Sequence, residues 1–122
     1  MARAPEERLQ DLRTAIDRIQ RVVAGSDQTS FEQMDQEGLI PICWSFVVIG
    51  EAIKVLPEDL LSRHPAVDWR GFARFRDVLA HQYFRIEPTL LWKAISISLP
   101  PLHAAVTAEL ERTATTPDEN EG

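Results

Sequence analysis

The 122-residue sequence predicts an all-α fold, an up-and-down four-helix bundle with an additional short C-terminal helix. Long segments carry apolar residues at spacings of three and four, proline and glycine punctuate them, and no segment alternates with the period of a strand. The length suits one domain with one core. With 44% hydrophobic and 26% charged residues, the composition is that of an ordinary globular protein.

The first helix is read over Pro5 to Ala24, where Leu9, Leu12, Ile16, Ile19 and Val23 form one apolar face and Gly25 is the stop. In the polar loop that follows, Ser30 and Gln33 suggest a capping box for a short turn around Phe31 and Met34. Pro41 suits the first turn of a second helix running to about Val55, ended by Pro57. This helix is apolar almost all round between Leu39 and Ile49, so it is expected at the centre of the bundle or in a dimer interface. Asp68 is a good N-cap for a third helix through Trp69, Phe72, Phe75, Val78 and Leu79. Pro88 starts a fourth, and Pro100 and Pro101 are expected to divide it from a shorter piece over Leu102 to Arg112. Residues 1–112 therefore read as the domain, and 113–122, polar and acidic, as a disordered tail.

Several function classes find no support. The apolar run from Leu39 to Ile49 falls short of the roughly 20 residues needed to span a bilayer, and Met1 to Arg13 is too charged for a signal region. No membrane association and a cytoplasmic location are expected. The single Cys43, in an apolar stretch, reads as a small buried hydrophobe in a reducing compartment. There is no Walker loop, G-x-G-x-x-G, Cys/His metal spacing or G-x-S-x-G, so neither a metal nor a nucleotide cofactor is expected. A net charge of −6 argues against general nucleic-acid binding. Yet between residues 63 and 93 six cations, Arg63, Arg70, Arg74, Arg76, Arg85 and Lys93, face only Asp68, Asp77 and Glu87.

Within that stretch the run from Arg76 to Tyr83 places a fixed cation, an imidazole and a phenol in eight residues, a set that could handle a phosphodiester. On a regular helix Arg76 and Tyr83 share a face while His81 is turned about 140° from Arg76, so the three are expected to converge where the helix ends or distorts. RNA supplies its own nucleophile, the 2′-hydroxyl. A metal-independent cut then needs a base, an acid and a cation for the phosphorane. One chain offers one motif histidine, whereas a symmetric dimer offers His81 twice and pairs the Arg76 groups.

The run has the R-x-x-x-x-H-x-Y pattern and resembles the HEPN ribonucleases, in particular the HepT-like toxins. The likeness extends through Ile49-Gly50-Glu51-Ala52, Arg63-His64-Pro65, Trp69-Arg70 and Val78-Leu79-Ala80-His81-Gln82-Tyr83-Phe84, covering roughly residues 8 to 112. The resemblance implies a HEPN-type bundle and a metal-independent RNA endonuclease, the toxin of a type VII toxin–antitoxin pair, that cuts tRNA or mRNA across a homodimer cleft. It implies Arg76 and His81 as catalytic residues, with Asp77, Tyr83 and Arg74 positioning substrate. It also implies a minimal nucleotidyltransferase antitoxin that adenylates Tyr83, adding negative charge where RNA phosphate must enter. Asp77 stands where relatives often have Asn; it could orient Arg76 or His81 but would also repel phosphate. Glu51, in an apolar helix, must be exposed, find a donor or pair with a cation such as an arginine. His64 and His103 read as structural or solvated groups, and Trp44, Trp69 and Trp92 as core or interface anchors. The competing reading is a non-catalytic subunit of a nucleotidyltransferase complex that uses the same arginines to bind.

Overall fold

The computed structural model describes residues 4–82 and 85–115, and every regular element among them is helical. The order is α1 (Pro5–Val23), α2 (Gln28–Glu32), α3 (Gln36–Lys54), α4 (Glu58–Ser62), α5 (Trp69–Gln82), α6 (Pro88–Lys93), a π-helical turn (Ala94–Ser98) and α7 (Leu99–Thr115). The all-α expectation holds. Helix α3 packs against both α1 and α5, and α1 also packs against α7.

Each boundary has a local cause. Pro5 occupies the first position of α1 and Glu7 accepts the Ala4 N–H at 3.1 Å, while Gly25, at φ +80°, takes the left-handed conformation that ends it. In α2 the cap is Asp27, not the expected Ser30–Gln33 pair. The Ser30 N–H donates to Asp27 Oδ1 at 2.9 Å and the Asp27 N–H to Ser30 Oγ at 3.1 Å, so Ser30 sits inside the first turn and Phe31 is carried into the core. Asp35 caps α3 by accepting the Gly38 N–H at 2.9 Å, which starts that helix five residues before Pro41. Pro41 therefore lies inside α3. It is exposed, and its carbonyl accepts the hydroxyl of the fully buried Ser45 at 2.9 Å. Pro57 ends the α3 region but also opens α4, a one-turn helix with no periodic signal of its own. Asp68 caps α5 as expected, accepting the Gly71 N–H at 3.0 Å.

The two prolines near the C-terminus do not divide the chain. They have no N–H for the carbonyls one turn back, and the backbone answers with the wide turn Ala94–Ser98, closed by a Leu99 N–H to Ala94 carbonyl bond. Helix α6, the wide turn and α7 run on without interruption, so the separate short C-terminal helix of the sequence reading is absent. Helix α7 reaches Thr115, three residues into the segment read as tail, and 116–122 lie outside the described residues.

The core is continuous through the bundle, with Leu12, Ile16 and Ile19 of α1, Ile42, Phe46 and Ile49 of α3, and Leu99 and Leu102 of α7 almost wholly enclosed. Helix α3 is longer than its apolar run and could cross a bilayer by length and composition alone. In the fold half of it is buried as the central packing element.

Candidate functional site

Arg76 lies in the middle of α5, where that helix crosses α3 at Gly50. A Cβ at residue 50 would collide with Cβ of Arg76 and sit 2.9 Å from its Cγ and 3.1 Å from the Phe72 carbonyl oxygen, so only glycine permits this approach. The guanidinium consequently lies along α3, its Nε 2.8 Å from Glu51 Oε1 as an ion pair and not an aligned hydrogen bond. Its Nη1 donates to Asp77 Oδ1 at 3.1 Å. Lys54, one turn beyond Glu51, donates to the same Asp77 oxygen at 2.9 Å and lies 3.7 Å from Glu51 Oε1. Two cations and two carboxylates thus form a closed quartet. The hydrogen bond from Lys54, and then that from Arg76, hold the Asp77 carboxyl below the usual carboxylate range.

The quartet answers two questions the sequence left open. Glu51 is exposed and paired with cations, and Asp77 orients Arg76. Lys54 and Gly50 went unrecognised as site residues, although Lys54 follows Glu51 at the i, i+3 spacing of a helical ion pair.

His81 stands in the last turn of α5 and is exposed. Helix α5 ends at Gln82, one residue after His81, so the histidine lies at a helix terminus as expected. Regular geometry keeps His81 about 140° round the helix from Arg76. It places His81 instead within about 20° of Arg74 and about 40° of Asp77, on the sector facing away from Arg76. The structure therefore joins Arg76 to Asp77 and aligns Arg74 with His81. Tyr83 lies outside the described residues.

Beside Arg76 an apolar groove of about 440 Å³ runs between α3 and α5, lined by Ile40, Cys43, Trp44, Val47, Arg76 and Leu79 among others. Ile40 and Trp44 are 53% and 61% exposed, large values for such residues on the helix that forms the centre of the core. Positions 40, 44, 47 and 51 follow one helical stripe, so this open apolar surface leads directly to Glu51 and its partner Arg76. Cys43 is buried there, and burial pushes its thiol pKa up. Trp69 is an anchor, donating its indole N–H to the carbonyls of Leu61 and His64 at 3.0 and 3.2 Å.

A second ionic cluster lies elsewhere. Arg63 forks onto Glu109 at 2.8 and 3.0 Å, and His64 Nε2 is 2.6 Å from Glu109 Oε2. Glu109 is 5% exposed, and the Arg63 hydrogen bonds are the leading cause that holds its carboxyl down at about 2. His64 is thus a structural group whose partner is 45 residues away, beyond the reach of any spacing argument. The cluster fastens the loop after α4 to α7.

The chain is similar to several known proteins. Residues 12–109 match the family described as ribonuclease HepT-like. A probable ribonuclease HepT of Thermococcus cleftensis is 33% identical over 104 residues, which are 84% of this chain and 92% of the relative. A predicted RNase of Caldanaerobacter subterraneus subsp. tengcongensis is 29% identical over 109 residues, 88% of this chain and 91% of that one. A predicted RNase of Methanocaldococcus jannaschii is 46% identical over 56 residues, 46% of each chain. No solved structure matches the chain. With four-fifths of its length matched and its arginine set at the α3–α5 crossing, the chain belongs to the HepT-like ribonuclease family.

Proposed function

We propose that the protein is the toxin of a type VII toxin–antitoxin pair, a metal-independent RNA endonuclease that works as a homodimer. The observation that carries this reading is the separation of Arg76 from an exposed His81 on a regular α5, beside an exposed apolar stripe of α3. One chain presents half of a phosphodiesterase site next to a surface suited to a second copy. In the dimer one His81 takes the proton of the 2′-hydroxyl, whose oxygen attacks phosphorus. The bond to the 5′-oxygen breaks, and that oxygen receives a proton from the other His81. The paired Arg76 groups meet the charge that grows on the phosphorane. The products are a 2′,3′-cyclic phosphate and a free 5′-hydroxyl.

The test incubates phosphodiesterase-treated protein with total RNA and tRNA in EDTA and reads the product ends. Mixing wild type with His81→Ala should leave heterodimers far below half activity. A simple halving would show independent sites, and a wild type that binds RNA without cutting it would make the chain a binding subunit.

The switch in this proposal is Tyr83, adenylated by a minimal nucleotidyltransferase partner. Tyr83→Phe should stay toxic when the partner is co-expressed, and wild type should carry adenylate mass on the peptide containing Tyr83. Modification found at another residue would remove Tyr83 from this role.

A further inference from the structure

The geometry points to a phosphate track on the outer face of α5, formed by Arg70, Arg74 and Lys54, that holds the RNA strand flanking the scissile phosphate. It rests on the ribonuclease reading and extends it from the cut to the binding of the strand around it. Arg70, Arg74, Asp77 and His81 fall within about 60° of one another on α5, and at 1.5 Å per residue Arg70 and Arg74 are about 6 Å apart along the axis. Both arginines are exposed and form no ion pair among the described residues. Lys54 reaches over from α3 and meets this stripe at Asp77 Oδ1, the oxygen that also holds Arg76. The stripe is therefore joined to the candidate site by a shared atom.

Beyond Lys54 the surface opens into a groove of about 470 Å³ between the end of α3, α4 and the first turns of α5. Lys54 and Arg70 line it together with Glu58 and Asp68, of which Asp68 is occupied as the α5 cap, and the Ser62 hydroxyl there donates to the Glu58 carbonyl at 3.0 Å. In a chain of net charge −6, uncompensated arginines on one face serve an anion. The spacing along a helix face suits successive phosphates of a single strand. In the free protein Asp77 stands between Lys54 and Arg76 where a phosphate oxygen would otherwise bridge them. Lys54, Arg70 and Arg74 are thus positioning residues.

The experiment measures binding of a non-cleavable 2′-O-methyl oligoribonucleotide against salt, together with cleavage of short and long RNA. Lys54→Ala and Arg70→Ala should each reduce the slope of log affinity against log salt by about 0.7, the value for one contact to a single strand. In Arg70→Ala, KM for long RNA should rise while kcat holds, and Lys54→Arg should restore the slope lost in Lys54→Ala. Arg13→Ala, on α1, should leave the slope unchanged. A purely structural Lys54 would lower the melting temperature without changing the slope. Unchanged slopes in both variants, with wild-type cleavage intact, would overturn the track alone. Reduced slopes in a protein that cuts no RNA would overturn the nuclease reading and leave the track.

Discussion

A single oxygen, Oδ1 of Asp77, accepts from both Lys54 and Arg76, and at the residue scale this decides how the cations are presented. An arginine can hold Glu51 and Asp77 on its planar fork and still have several N–H donors for phosphate, where an ammonium would keep at most one. Arg76→Lys should accordingly lower kcat by about 100-fold with the fold intact, as judged by thermal unfolding. Asp77 has the opposite electrostatic effect, since its charge lies beside the place a phosphate must take. Asp77→Asn should tighten binding of non-cleavable RNA a few-fold at low salt, with the gain fading as salt rises over the Debye range. Equal affinity of the two proteins at low salt would show that Lys54 and Arg76 already neutralise the carboxylate.

Among the elements, α3 has two unlike faces. Phe46 is buried and meets the Phe75 ring edge-on at 5.3 Å, whereas Trp44, two residues before it, is exposed at the groove. Phe46→Ala should therefore cost about 3–5 kcal/mol in urea unfolding. Trp44→Glu should leave the monomer's fold standing and abolish a dimer in sedimentation. Trp44→Glu that remained dimeric at micromolar concentration would remove this stripe from the interface. The wide turn before α7 shows the converse relation between element and sequence. Two adjacent prolines predict a break, but one π-helical turn absorbs the missing donors and keeps the final helices continuous.

At the scale of the whole molecule, Glu109 ties the loop after α4 to the last helix and links stability to acid. Its carboxyl titrates near 2 in the fold against an ordinary 4.5, so the folded state binds that proton less readily than the unfolded one. The contribution is complete above about pH 4.5 and disappears as pH falls toward 2. From the size of the shift it is of order 3 kcal/mol. The difference in unfolding free energy between wild type and Glu109→Gln should be largest at neutral pH and shrink through that window. A difference that did not change between pH 5 and pH 2.5 would mean that Arg63 and His64 do not hold the carboxylate.

The sequence by itself determined the helical fold, the cap at Asp68, the stop at Gly25 and the motif that marks Arg76 and His81. Each of these depends on residues within a turn or two of one another, where spacing and side-chain type carry the physics. Tertiary structure decided what depends on distant partners. It paired Glu51 with Arg76, joined Lys54 to Asp77, set Glu109 on Arg63 and His64, and made Gly50 the crossing point of α3 and α5. It also carried the chain through Pro100 and Pro101, because packed helices tolerate a missing N–H that an isolated segment does not.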